Sequence, residues 1–98
     1  MPQVILTEKA SSDIFRLYQF LLVQNESAAK RAVQTIKSAF TLLREHPELG
    51  RQVENAPQLK ELLIDFGSSG YTALYRFEQN TDQVIILAIR HQREAGYQ

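Results

Sequence analysis

Val84-Ile85-Ile86-Leu87-Ala88-Ile89 is an unbroken apolar run, apolar at both odd and even positions. A strand successively points side chains to opposite faces, so this one must be covered on both sides and belongs inside a sheet. Working outward, Asn80-Thr81-Asp82 is a turn, and before it Tyr71–Glu78 alternates. Tyr71, Ala73, Tyr75 and Phe77 share one face there, and Thr72, Leu74, Arg76 and Glu78 the other. Gly67-Ser68-Ser69-Gly70 marks a hairpin that joins this strand to an earlier one at Leu59–Phe66. Residues 59–91 therefore read as an antiparallel three-stranded meander.

The first half supplies the cover. Gln3-Val4-Ile5-Leu6-Thr7 is β-prone, and Thr7 is placed to cap a helix whose first turn carries Glu8. Ile14, Leu17, Tyr18, Leu21 and Leu22 then form one apolar stripe at helical spacing. Asn25 or Ser27 can cap a second helix, with Ala29, Ala32, Val33, Ile36, Phe40 and Leu43 on one face. Pro47 ends it near Glu45. Residues 46–58 read as a loop with turns. The expected architecture is α+β, ordered β-α-α-β-β-β: a single domain over residues 1–98, with a small antiparallel sheet of about four strands packed on an N-terminal helical hairpin. That hairpin covers one sheet face. The other is closed by the C-terminal tail or a loop, or by a partner protein, and the sequence leaves both open.

Composition narrows the function classes. The chain has 98 residues, 44% of them hydrophobic, and no cysteine, which excludes disulfides, thiolate metal sites and thiol catalysis. His46 and His91 are too few and too distant for a metal site. No apolar run approaches the roughly 18 residues of a membrane span, and the first residues read as a strand, not a signal peptide. A cytoplasmic protein without a cofactor or metal is expected. Eleven Lys/Arg balance eleven Asp/Glu, the two halves of the chain are balanced as well, and the pI is about 6.7. Binding to phosphate backbones draws on basic excess, so strong direct DNA or RNA binding is not expected.

Several strings, in order, resemble the RelE/ParE toxin superfamily of type II toxin–antitoxin systems. They are Ile14-Phe15-Arg16-Leu17-Tyr18-Gln19-Phe20-Leu21, Ala28-Ala29-Lys30-Arg31-Ala32, His46-Pro47-Glu48-Leu49-Gly50-Arg51 and Leu59-Lys60-Glu61-Leu62. Gly70-Tyr71-Thr72-Ala73-Leu74-Tyr75-Arg76 and Ile86 through Tyr97 complete the set. The resemblance spans nearly the whole chain. It implies a toxin neutralised by a cognate antitoxin, ParD-like or similar, and one of two activities. RelE-like members cut messenger RNA on the ribosome, whereas ParE-like members inhibit DNA gyrase by protein–protein binding.

Metal-free RNA cleavage needs a base for the 2′-hydroxyl, an acid for the leaving oxygen and a cation for the phosphate. The resemblance places such groups at Arg76, Arg90, His91 and Tyr97. Each has a plainer reading: Arg76 in a surface pair with Glu78, Glu94 or Asp65, and Arg90, Arg93 and Glu94 in a terminal charge cluster. His91 would be a packed ring, and Tyr97 a frayed end. His46, at a helix C-terminus, is given no role. The absent basic excess favours the ParE-like, non-enzymatic reading, with the RelE-like endonuclease as alternative and an inactive antitoxin-binding module as a third. Phe15, Phe20, Val84, Ile86 and Arg93 are the candidate partner-binding residues, for a helix or an added strand of the antitoxin.

Overall fold

The computed structural model describes every residue from Met1 to Gln98. In chain order it has β1 (Gln3–Leu6), α1 (Glu8–Gln24), α2 (Glu26–Glu45), β2 (Arg51–Val53), β3 (Ala56–Phe66), β4 (Ser69–Glu78) and β5 (Gln83–His91). The strands form one sheet in the order β1-β5-β4-β3-β2. β3, β4 and β5 are the antiparallel meander, and β5 has a neighbour on each side.

The helical hairpin forms where its caps place it. Thr7 Oγ1 accepts the Ala10 N–H at 3.1 Å and donates to the carbonyls of Ile86 and Leu87, so the cap of α1 also ties the helix to β5. Asn25 alone joins the helices. Its N–H bonds the Leu21 carbonyl at 2.7 Å, closing α1, and its side chain accepts the Ala28 N–H at 3.0 Å, opening α2. With one non-helical residue between them the helices must fold back on each other, and Ala29 and Ala32 are buried on α2.

Two features depart from the expected architecture. The segment 46–58 contains a fifth strand, β2, three residues long and paired antiparallel with β3 through a bulge at Gln52/Val53. It has almost no apolar pattern of its own and exists because β3 offers it an edge. β3 itself begins at Ala56 and so includes Pro57, which is tolerated because pairing with β4 starts only at Lys60. The sheet is also mixed, since β1 runs parallel to β5, with Val4 opposite Val84 and Leu6 opposite Ile86.

β5 contains the feature that decides which side chains go where. Leu74 pairs with Ala88 but Tyr75 pairs with Ile86, which leaves Leu87 as an extra residue in a β-bulge. Parity reverses across it. Val84 and Ile86 before the bulge, and Ile89 after it, all lie in the core beneath the helices and are fully buried. Ile85 and Leu87 remain half-buried. The candidate partner-binding residues Val84 and Ile86 are therefore core residues with no surface to offer. An apolar run at both parities does not say which parity meets the helices, and the bulge was invisible in it.

The string His46-Pro47-Glu48-Leu49-Gly50-Arg51 receives a packing reason. Tyr75, fully buried, donates its hydroxyl to the Pro47 carbonyl at 2.8 Å and accepts the Gly50 N–H at 2.8 Å. A Cβ on Gly50 would stand 2.7 Å from the tyrosine ring and 2.9 Å from the Glu61 carbonyl, so only glycine fits. The loop leaving α2 is thus pinned to the middle of the sheet by one phenol. Gly67, at φ +64°, makes the β3–β4 turn in a conformation that other residues rarely adopt.

Candidate functional site

β4 and β5 carry the functional side chains, and pairing distributes them over two faces. Opposite Thr72 lies Arg90, and opposite Arg76 lies Ile85, both on the face away from the helices. His91 lies opposite Tyr71, on the helix side, where its ring meets the Tyr71 ring edge-on at 5.6 Å between centroids. The four candidate groups are split: Arg76 and Arg90 share one face, and His91 belongs to the other.

Tyr97 reaches the outer face from the tail. Its hydroxyl donates to Glu61 Oε2 at 2.6 Å, and the Arg90 guanidinium lies 5.3 Å from the centre of its ring. Burial, with the Glu61 carboxylate next, raises the phenol pKa well above its ordinary value of 10.0. It is a poor proton donor at neutral pH in this state. Far from being a frayed end, Tyr97 is the residue by which the tail closes part of the second sheet face. On the same face the sheet buries Thr72, whose hydroxyl is the one buried side-chain polar atom without a hydrogen-bond partner.

Arg90 is turned onto its own chain. One guanidinium nitrogen donates to the carbonyls of His91, Gln92 and Glu94 at 3.3, 3.3 and 3.0 Å. The arginine holds the turn after β5 in shape through that one nitrogen. Glu94 fastens the same turn, accepting the His91 N–H at 2.8 Å and pairing with Arg16 of α1 at 3.1 Å. Arg93 is exposed, with a long 3.5 Å contact to Ser68. Arg76 pairs with Glu78 two residues on, and both are about two-fifths exposed.

His91 is engaged through both ring nitrogens. The Arg93 N–H donates to Nδ1 at 3.1 Å, so the neutral ring carries its proton on Nε2, which points at Ser69 Oγ 3.1 Å away. In that tautomer the imidazole is the donor and Ser69 the acceptor.

Sequence reasoning missed two residues. Glu61 is the anchor of Tyr97, and nothing in its spacing announced a partner 36 positions away. Asp13 is only 4% exposed, a carboxylate on the buried side of α1. It accepts the Ile89 N–H at 3.0 Å, next to the β5 bulge, and is neutralised by Lys9 at 2.6 Å, with Arg16 at 3.8 Å. An aspartate one residue before the apolar stripe was the available signal. No group of His, Cys, Asp and Glu side chains is arranged to hold a metal ion, and no helix is long and apolar enough to cross a membrane.

Comparison with known proteins places this architecture. A family model described as the ParE toxin of the type II toxin–antitoxin system, parDE, matches residues 4–96. Toxin RelE3 of Caulobacter vibrioides is 37% identical over 94 residues, covering 96% of this chain and 98% of the relative. Toxin RelE1 of the same organism is 34% identical over 73 residues, covering 74% and 76%. Among solved structures, the chromosomal ParDE system from P. aeruginosa superposes with a TM-score of 0.76 at 22% identity, over 93% of this chain and 96% of that one. The intact E. coli RelBE toxin–antitoxin complex gives 0.67 at 14% identity, over 96% and 100%. These likenesses confirm the fold, and with the family model and the Caulobacter relatives they show that the chain belongs to the RelE/ParE superfamily, as a toxin of a type II toxin–antitoxin system.

Proposed function

We propose that the chain acts as a ParE-like toxin, inhibiting DNA gyrase by protein–protein binding and neutralised by a cognate antitoxin. The observation that carries this reading is the commitment of the four candidate catalytic groups. Arg90 serves three backbone carbonyls, both ring nitrogens of His91 are hydrogen-bonded, Tyr97 is tied to Glu61, and Arg76 is paired with Glu78. General acid–base cleavage needs a base within reach of the proton it takes. The absence of basic excess points the same way, since binding a protein asks for none. The antitoxin is an expectation from the toxin–antitoxin complexes among the structural neighbours. Phe15 and Phe20, 60% and 66% exposed on α1, remain candidate contacts for it, as does Arg93.

A supercoiling assay with purified gyrase tests the target. Inhibition at micromolar toxin, with ribosome-bound message left intact, is the expected result. The RelE-like reading draws on the names of the two Caulobacter relatives and on Arg76, Arg90 and Tyr97 sharing one face. Cleavage of ribosome-bound message without gyrase inhibition would establish it instead. Unimpaired growth of bacteria expressing the soluble chain alone would leave only an antitoxin-binding module.

A further inference from the structure

β3 runs from Ala56 to Phe66, but β2 covers its outer edge only as far as Glu61. The Gln92 N–H bonds the Gly70 carbonyl, so Gly70 and Thr72 turn their backbone groups toward β5, and Tyr71 and Ala73 turn theirs toward β3. Those two pair with Ile64 and Leu62, which leaves the N–H and C=O groups of Leu63 and Asp65 pointing the other way, off the edge of the sheet. The Glu61 carbonyl, next in that odd series, faces Gly50 and β2 as this alternation requires. No other segment of the chain bonds the outward groups of Leu63 and Asp65. Such edges are ordinarily blunted by proline, lysine or a bulge. Leu62-Leu63-Ile64-Asp65-Phe66 has none of these, carries a single charge, and leaves Leu63 52% exposed beside the open edge.

We infer that this edge pairs with the same edge of a second copy of the chain, antiparallel about Ile64, so that two sheets join into one. The register follows from what each alternative opposes. Centring on Leu63 sets Glu61 against Asp65 of the other copy and drives the added strand into the place that β2 holds. Centring on Asp65 sets two aspartates face to face. Centring on Ile64 sets Leu63 against Asp65 in both directions, opposes no like charges and satisfies the free backbone groups of both copies. The strands then part at Gly67, which has no side chain to meet the start of β2. Opposed residues point to the same side of a sheet, so both outer faces, each with Arg76, Arg90 and Tyr97, lie on one side of the joined sheet. Whatever the chain binds through that face meets two symmetric copies of it, and the pairing stands whichever target that is.

A single strand pair is a small interface, so the dimer should be reversible and build up with concentration. Sedimentation of the free full chain, from low micromolar to near-millimolar concentration, should show a monomer passing to a dimer. Over the same range the Leu63 and Asp65 amides should slow in exchange by at least about fivefold, while Val4 and Leu6 on the opposite edge of the sheet keep their rates. The register has a charge signature. Leu63→Glu opposes Asp65 at two symmetric places and should raise the dimer Kd about tenfold or more, whereas Leu63→Lys meets the same aspartate and should stay within about threefold of the parent. Leu63 is half-exposed, so both variants should keep the parent's unfolding midpoint. A chain that stays monomeric throughout overturns the pairing. So does a dimer in which Leu63 and Asp65 exchange as in the dilute chain, and equal weakening by glutamate and lysine overturns the Ile64 register. Slowing of both amides only when the protein of the adjacent reading frame is added would give the edge to that partner and overturn the self-pairing.

Discussion

The two faces of the sheet are built from the same strands by different means. On the helix side, Tyr75, Val84, Ile86 and Ile89 are fully buried against apolar neighbours, and the one polar intrusion, Asp13, is neutralised and hydrogen-bonded. On the outer side the cover is thin: a tyrosine from the tail, an arginine folded onto its own turn, and a carboxylate that anchors the tyrosine. Leu63 remains 52% exposed there. Burial of apolar surface scales with area and holds the first face, whereas the second is held by a few directional contacts near solvent, each worth about 1 kcal/mol or less. Most of the stability therefore resides on the helix-side face.

That contrast can be broken from the inner side most severely. Ile86→Ala should cost about 2–5 kcal/mol in denaturant unfolding, the loss of a buried side chain plus the cavity left behind. A cost below 1 kcal/mol would mean that the helix-side core is loosely packed. Asp13→Ala should cost about 1–3 kcal/mol by leaving the Ile89 N–H unsatisfied beside the bulge. Exchange at the Ile89 amide should rise in that variant more than at Val84. Tyr75→Phe should cost about 1–2 kcal/mol, since the Gly50 N–H and Pro47 carbonyl both lose their partner while the ring stays packed. Its unfolding midpoint in urea should fall without a change in slope.

On the outer face the effects should be small. Tyr97→Phe should cost under about 1 kcal/mol and speed exchange at the turn after β5 while leaving the helices untouched. Its pH signature has a definite sign. The Tyr97 phenol has a folded pKa raised above the ordinary 10.0, by burial first and by Glu61 second. The unfolded chain therefore loses that proton first as pH rises. The contribution is complete below pH 10 and is lost above it, toward the folded pKa. The parent should lose stability above pH 10 more steeply than the variant. A parallel loss in both would place the alkaline sensitivity in Tyr71 and Tyr75, whose pKa values burial also raises. Arg76→Ala should change stability by less than about 0.5 kcal/mol, because its pair with Glu78 is solvent-exposed.

Much of this fold is local, and local things can be read from sequence. Thr7 and Asn25 cap because their side chains bond the backbone three residues on, and Pro47 stops a helix by its own ring. The Gly67 turn and the alternation of β4 are equally short-range. β2 was missed because a three-residue strand with an unremarkable sequence owes its existence to an edge made elsewhere.

What the sequence by itself determined is the order of every element except β2, the helix ends, the meander and the superfamily. Tertiary structure alone decided which parity of β5 faces the helices, since one extra residue at Leu87 exchanges the faces and no periodicity in an all-apolar run records it. It decided the partners of Asp13 and Tyr97, 76 and 36 positions away along the chain. It also separated His91 from Arg76 and Arg90, residues that the sequence sets side by side or on neighbouring strands but that pleating sends to opposite faces.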